Sequence, residues 1–172
     1  MNVATLIPVE EYLKTSYRPD RDYLEGELEE RNLGEKDHSA LQREIIFFFR
    51  LRQADWGTFA FPEQRLQVGP RRYRIPDVCI TLGKAPASQI FHEPPFVCIE
   101  ILSKDDSLER LQARIDDYVA FGVPHIWVIN PRTRRAWSYT ADGAQEARDG
   151  LLRTQNPELT VPLTELFAGL DD

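Results

Sequence analysis

Residues 73–82 read Tyr-Arg-Ile-Pro-Asp-Val-Cys-Ile-Thr-Leu, and residues 96–103 read Phe-Val-Cys-Ile-Glu-Ile-Leu-Ser. Both are short apolar runs rich in β-branched side chains, which is typical of strands buried on both faces of a sheet. Each run contains one acid, Asp77 in the first and Glu100 in the second. A buried carboxylate without a partner is costly, so each acid must be neutralised, hydrogen-bonded or bound to a cation. If the two strands are neighbours, the two acids predict a shared metal site.

The sequence around these runs predicts an α/β fold in which a mixed sheet is flanked by helices. Apolar spacings of three and four residues predict helices, and short apolar or alternating runs predict strands. Predicted helices cover 8–15, 35–54, 107–121 and 161–167; predicted strands cover 59–68, 72–82, 96–103, 125–130, 135–139 and 151–154, with a hairpin over 22–29. The strand–helix–strand unit of 96–130 predicts a parallel pair. Pro76 has no N–H, so the strand around it should be bulged or locally unpaired.

Composition and length bound the class of protein. The 172 residues are enough for one domain, 1–172, with a substantial core. No apolar run approaches the roughly 20 residues that span a membrane, and no export signal opens the chain, so we expect a cytoplasmic protein without a membrane partner. Cys79 and Cys98 lie inside the two apolar runs, where small core residues are favoured over a disulfide or a metal site.

Clusters of arginine are the candidate contacts to nucleic acid. The net charge of −7 argues against a generally basic surface, although local charge decides where a phosphate binds. Arg65, Arg71, Arg72 and Arg74 lie in a segment without acids, and Arg132, Arg134 and Arg135 form a second cluster. For the first cluster, a phosphate contact and a solvated hairpin turn both remain open.

The two buried acids have the chemistry of a hard-cation site. Mg²⁺, or Mn²⁺ in its place, takes one or two protein carboxylates and keeps waters and substrate oxygens. Such an ion polarises a phosphoryl oxygen and activates water, as phosphodiester hydrolysis requires. Glu63 or Asp22 could supply a third carboxylate. In the alternative, Asp77 caps a turn and Glu100 pairs with an arginine. His38, at a helix start, is interpreted as a packed or hydrogen-bonded residue rather than a catalytic one.

Three motifs carry a resemblance to a known family. They are Ile75-Pro76-Asp77-Val78, Ile99-Glu100-Ile101-Leu102-Ser103, and Tyr118 followed by Gly122-Val123-Pro124-His125-Ile126-Trp127. From about residue 9 to about residue 167 the chain resembles the Uma-type family of restriction endonucleases, in the PD-(D/E)XK nuclease superfamily. The resemblance implies a restriction-endonuclease-like mixed sheet and DNA cleavage. It also implies Mg²⁺ bound by Asp77, Glu100 and the Ile101 carbonyl, with Asp22 loosely matching the N-terminal glutamate of the family.

The chain departs from the superfamily pattern at the motif lysine. The residue two positions past the second acid is Leu102, where the superfamily has a lysine. In the family the lysine often lies on the next helix, four residues before the tyrosine, and the matching residue here is Arg114. Lys104 is the other candidate. An arginine cannot act as a base, because its pKa stays above about 12, but it can hold a phosphate or a transition-state charge.

Two main hypotheses about function follow from the sequence. The first is a Mg²⁺-dependent DNA endonuclease, expected to be a homodimer because cutting both strands of a duplex favours two-fold symmetry. The second is a catalytically decayed nuclease-fold protein that acts as a DNA- or protein-binding module, which the loss of the motif lysine favours. A metal-dependent hydrolase of another phosphate ester is a weaker third.

Overall fold

The computed structural model describes residues 5–32 and 34–172. Within these residues the helices are α1 (Val9–Lys14), α2 (Lys36–Trp56), α3 (Leu108–Phe121) and α4 (Leu163–Ala168). The strands are β1 (Arg21–Leu24), β2 (Glu27–Glu30), β3 (Thr58–Pro62), β4 (Leu66–Gly69), β5 (Arg72–Arg74), β6 (Val78–Leu82), β7 (Val97–Ile101), β8 (His125–Asn130), β9 (Arg135–Thr140), β10 (Gly143–Glu146), β11 (Leu151–Arg153) and β12 (Thr160–Pro162).

A six-stranded mixed sheet in the order β10-β9-β8-β7-β6-β3 forms the centre of the fold. β7 and β8 are parallel and are joined through α3, whereas β6 and β7 are antiparallel. The predicted strand–helix–strand unit and the predicted α/β class with a mixed sheet are therefore confirmed. The two runs that carry Asp77 and Glu100 are neighbours, as the metal-site hypothesis requires.

The two faces of this sheet are covered by different helices. On one face Val78 and Ile99 pack with Ile45 and Phe49 of α2. On the other face the two cysteines pack with α3. Side chains alternate between faces along a strand, so Glu100 lies on the same face as Cys98, towards α3. Both cysteines are buried and free, which confirms their interpretation as core residues.

A second, antiparallel sheet in the order β2-β1-β5-β4 contains the N-terminal hairpin. The predicted strand over 59–68 is wrong as one strand, because Glu63 turns with φ 48° and the chain passes from β3 in the central sheet to β4 in the second. The strand over 72–82 is likewise divided around Pro76, between β5 and β6. Asp77 therefore lies where the chain enters the central sheet, close to both sheets.

The ends of the helices follow from local sequence. Ser107 accepts a hydrogen bond from the Arg110 N–H, and Gly57 and Gly122 end α2 and α3 with φ of 63° and 97°. A positive φ favours glycine at these positions. The predicted closing helix over 161–167 is wrong at its start, because Thr160–Pro162 pairs with β11 as a strand. None of the helices in residues 5–32 and 34–172 is both long and apolar enough to cross a membrane.

Candidate active site

The register of β6 and β7 brings the two buried acids together. Val78 lies opposite Ile99 in this antiparallel pair. Asp77 directly precedes β6, and its Oδ2 accepts from the N–H of Ile101, the residue after Glu100, at 2.7 Å. Both side chains are buried and line one polar cleft. The predicted convergence of the two acids is thus supported by the sheet geometry.

Asp77 is surrounded by donors on both carboxylate oxygens. Its Oδ1 accepts from Arg31 Nη2 at 2.5 Å and lies 3.2 Å from His38 Nε2, while Oδ2 accepts from the Ile101 N–H at 2.7 Å. Gln42 of α2 donates to the backbone carbonyl of Asp77 at 2.8 Å. Burial alone would raise the pKa of Asp77, but the bonds and charges of His38 and Arg31 outweigh it and lower that pKa. Asp77 is therefore held as a carboxylate.

The surroundings of Glu100 favour its protonated form, whereas those of Asp77 favour the carboxylate. Its Oε1 accepts from the Tyr118 hydroxyl at 2.6 Å. Its Oε2 lies 3.3 Å from Arg114 Nε, an ion-pair distance, but the buried Nε has no hydrogen bond of good geometry to any group in the described parts of the chain. Burial raises the pKa of Glu100 to about 7, with a contribution from the charge of Asp77 and an opposing one from Arg114. Two adjacent carboxyl groups are thus set to ionise at different pH.

Arg114 points into the cleft and is fixed there by Asp106. Asp106 Oδ1 accepts from Arg114 Nη2 at 3.2 Å and from Asn32 Nδ2 at 3.0 Å. Its Oδ2 accepts from the Ser103 N–H at 2.8 Å. The guanidinium of Arg114 therefore lies between Glu100 and Asp106, on the strand-facing side of α3.

The structure brings most of the predicted catalytic and metal-binding residues together at this cleft. It encloses about 40 Å³, room for a few water molecules at the roughly 10–15 Å³ that each needs. Asp22, Asp77, Glu100, Ile101 and Arg114 all line it. Two other candidates lie elsewhere: Lys104 is 61% exposed and 3.7 Å from Glu35, and the side chain of Glu63 is exposed.

Asp22 lines the cleft but is already bound to protein groups. Its Oδ2 accepts from Arg74 Nη1 at 2.9 Å and its Oδ1 accepts from the Ile75 N–H at 3.1 Å. Arg74 is 0% exposed and also contacts Glu29 and Asp117. The prediction that Arg74 contacts nucleic acid is therefore wrong, because a phosphate cannot reach a guanidinium enclosed by three acids.

The other predicted phosphate contacts are only partly available. Arg71 is exposed, Arg65 lies 4.8 Å above the ring of Tyr12, and Arg72 is bonded to both oxygens of Asp117 at 3.1 and 2.9 Å. In the second cluster, Arg134 and Arg135 are paired with Asp171 and Glu146. Arg110 is exposed at the rim of the cleft, and no ion pair of its guanidinium is found within the described parts of the chain.

The donors at the cleft fit a hard divalent cation in their chemistry. Asp77, Glu100 and the Ile101 carbonyl are oxygen ligands of the kind that Mg²⁺ takes. Among residues 5–32 and 34–172, no three side chains of His, Cys, Asp or Glu are grouped closely enough to hold a metal by themselves. A bound Mg²⁺ would thus depend on two carboxylates, a backbone oxygen and water. In the structure, basic side chains compensate both carboxylates.

Sequence reasoning missed the role of four residues at the cleft. Arg31, Tyr118 and Asp106 contact the predicted acids or Arg114 directly, and Asn32 bonds to Asp106. His38 is predicted to be packed or hydrogen-bonded rather than catalytic; its contact with Asp77 agrees with a hydrogen bond, and the lack of a catalytic role stays a prediction. Only Tyr118 left a signal, since it belongs to the apolar stripe of α3 yet has a hydroxyl that must find a partner when buried.

Comparison with known proteins agrees with this architecture. No curated protein matches the chain. The crystal structure of a "putative nuclease belonging to DUF820" from Anabaena variabilis ATCC 29413 superposes with a TM-score of 0.80 at 23% identity, covering 95% of this chain and 99% of that one. At this identity the likeness shows the fold alone. The family model described as "Putative restriction endonuclease" matches residues 9–171. The chain therefore belongs to the Uma2 family.

Proposed function

We propose that this protein is a metal-dependent endonuclease that hydrolyses phosphodiester bonds in DNA. The observation that carries the proposal is that Asp77 and Glu100, which come from the neighbouring runs of β6 and β7, line one cleft together with Arg114. Membership in a family described as "Putative restriction endonuclease" supports the class of reaction and makes DNA the expected substrate. The expected homodimer stays a prediction.

The residues of the cleft would divide the work by their charge. Asp77, Glu100 and the Ile101 carbonyl would hold Mg²⁺ or Mn²⁺, which supplies an activated water and polarises a phosphoryl oxygen. Arg114, held by Asp106, would bind the phosphate and stabilise the charge that develops on it. Tyr118 fixes the carboxyl group of Glu100. Arg110, which is exposed at the rim of the cleft, would contact the DNA backbone.

A non-catalytic DNA- or protein-binding module is the second candidate. The observation that favours it is that each carboxylate already has basic partners, Arg31 and His38 at Asp77 and Arg114 at Glu100. Paired in this way, the acids need no metal to be stable in the fold. A protein that lost its metal site during evolution would have the same appearance.

Cleavage of plasmid DNA distinguishes the two candidates. We expect wild-type protein to nick or linearise supercoiled DNA with Mg²⁺ or Mn²⁺ and to be inactive with EDTA. Asp77→Asn should abolish cleavage, because the amide has no charge with which to bind the metal. Glu63→Gln is the matched control, since Glu63 is an exposed acid outside the cleft, and it should cleave like wild type.

The folded state of each variant is checked by circular dichroism, so that loss of activity is not confused with unfolding. Equal cleavage by wild type and Asp77→Asn would contradict the proposal. DNA binding without cleavage under all metal conditions would support the binding module instead.

A further inference from the structure

We infer that Arg31 is a built-in competitor of the divalent metal, whose guanidinium lies among the predicted ligands and must leave before the ion binds. This inference rests on the proposed function and concerns the regulation of the same site. Arg31 follows the last residue of β2, and its side chain is only 18% exposed. Its Nη2 donates to Asp77 Oδ1 at 2.5 Å, the shortest contact of Asp77.

The charges around Arg31 are those of the predicted metal ligands. The carboxylates of Asp77, Asp22 and Glu100 all raise the pKa of Arg31, although its burial opposes them. Asp77 and Glu100 are the two carboxylates proposed to hold the metal, and Asp22 is the acid that loosely matches the N-terminal glutamate of the family. A cation attracted by both Asp77 and Glu100 has the same electrostatic position as the ion that they would bind. Because a guanidinium and a divalent ion repel each other strongly at short range, the two cannot share this position.

The contacts of Asp77 also leave little room for an additional ligand bond. A carboxylate has about four acceptor positions. Three of those on Asp77 face Arg31, His38 and the Ile101 N–H. His38 can become neutral by losing a proton, but a guanidinium stays charged at any ordinary pH. The charge of Arg31 can therefore be removed from the site only by moving the side chain.

The position of Arg31 in the fold allows such a movement. β2 is the edge strand of its sheet, and the Arg31 N–H bonds to the Asp20 carbonyl at 3.2 Å outside the strand ladder. Arg31 itself belongs to neither a helix nor a strand. Arg114 differs, because it projects from the middle of α3 and is held by Asp106. Of these two arginines, only Arg31 lies outside the helices, and its side-chain contact is with a predicted metal ligand, Asp77.

The test is a calorimetric titration of Mn²⁺ into the metal-free full-length protein. Arg31→Met removes the charge and keeps an unbranched apolar side chain. We expect it to bind Mn²⁺ at least about tenfold more tightly than wild type, a factor equivalent to about 1.4 kcal/mol. That factor is at the lower end of what a hydrogen bond to a charged group contributes. Arg31→Lys retains the charge, and its affinity should stay close to that of wild type.

Two further variants serve as controls for the Mn²⁺ titration. Arg31→Gln is neutral and can still donate to Asp77, so it replaces Arg31→Met if the latter does not fold. Arg21→Met removes an arginine of β1 that does not line the cleft, and it should leave the affinity unchanged. This control separates a specific effect of Arg31 from a general change of protein charge.

The outcomes separate this inference from the proposed function. Tighter binding by the neutral variants alone supports the inference. Equal Mn²⁺ affinity in wild type and both neutral variants overturns it, while the proposed nuclease function stands. Absence of Mn²⁺ binding at millimolar metal in every protein overturns both, because the acids would then not be a metal site.

Discussion

Replacement of Glu100 by glutamine should remove a large part of the dependence of stability on pH. Glutamine has nearly the same shape and keeps an oxygen that can accept from the Tyr118 hydroxyl, which lies 2.6 Å from Glu100 Oε1. The change therefore removes the titration of the side chain while leaving its packing in place. In metal-free buffer, this isolates the electrostatic cost of ionising a carboxyl group buried between β7 and α3.

The size of the expected loss of stability follows from the shift in the pKa of Glu100. Burial raises it from 4.5 to about 7 in the folded protein. The folded state therefore binds more protons than the unfolded state between these values, and the free energy of unfolding falls as the pH rises through them. At 1.36 kcal/mol per pKa unit, the wild-type protein should lose about 3 kcal/mol across this range. Glu100→Gln should not show this loss.

His38 and Asp77 at the cleft also change the stability with pH, in wild type and in Glu100→Gln alike. Burial lowers the pKa of His38, but its bond and attraction to Asp77 outweigh this and raise the pKa above 6.5. The stability from this pair is present below pH 6.5 and is lost as the pH rises through the folded pKa, in both proteins. The lowered pKa of Asp77 gives stability that is lost only when the pH falls below its ordinary value of 3.8.

Urea denaturation measures the difference. The free energies of unfolding of wild type and Glu100→Gln are measured at about pH 5 and about pH 8.5 in EDTA. The change in this free energy between the two pH values reports the difference in bound protons between the folded and unfolded states. The exposed variant Glu63→Gln should follow wild type at both. The reasoning is refuted if Glu100→Gln loses as much stability as wild type between the two conditions.

Two further variants test the charge network and a helix cap. Arg74→Met should lower the free energy of unfolding by about 3 kcal/mol or more, because it leaves buried Asp22 without its cation. Urea denaturation measures this against the exposed Arg71→Met, and a loss below about 1 kcal/mol would contradict it. Ser107→Ala should lower the free energy of unfolding by about 1 kcal/mol, because it removes the N-cap hydrogen bond of α3. Thermal denaturation measures this against the exposed loop variant Ser88→Ala, and equal stability of the two variants would contradict the role of the cap.

Elements with a strong local pattern were predictable from the sequence. α2 and α3 have apolar stripes at helical spacing and end at glycines, and Ser107 is an N-cap by its position before the stripe. The apolar runs of β7 and β8 on either side of α3 predicted their parallel pairing, since a crossover helix permits little else. For these elements, propensity, pattern and tertiary packing favour the same structure.

Features set by long-range packing were not predictable. The runs over 59–68 and 72–82 each look like one strand, and only the competition between two sheets divides them at Glu63 and Pro76. β10 has three exposed residues out of four and no apolar alternation, so its sequence gave no strand signal. It forms because β9 offers it an edge to pair with.

At the candidate site, too, residues with a local sequence signal were predictable and those brought together by long-range packing were not. A buried acid is visible in the sequence because an acid inside an apolar run is unusual, and Asp77 and Glu100 were found for this reason. Their partners were not, because Arg31 contacts Asp77 across 46 positions of sequence and follows a hairpin of ordinary polar composition. Arg114 was found only through the resemblance to a family in which a lysine occupies the corresponding place.

The ion pairs at the cleft do not by themselves indicate a decayed enzyme. Buried carboxylates need compensation whether or not a metal is bound, so a metal-free form of a two-acid site must pair its acids with other groups. The decisive property is whether the compensating cation can be exchanged for a metal. Arg31 follows an edge strand and contacts Asp77, and we infer that it is the cation exchanged for the metal, whereas Arg114 is bonded to Asp106 beside Glu100. This arrangement, one displaceable and one fixed arginine, is what a metal-dependent nuclease with an arginine in place of the motif lysine would require.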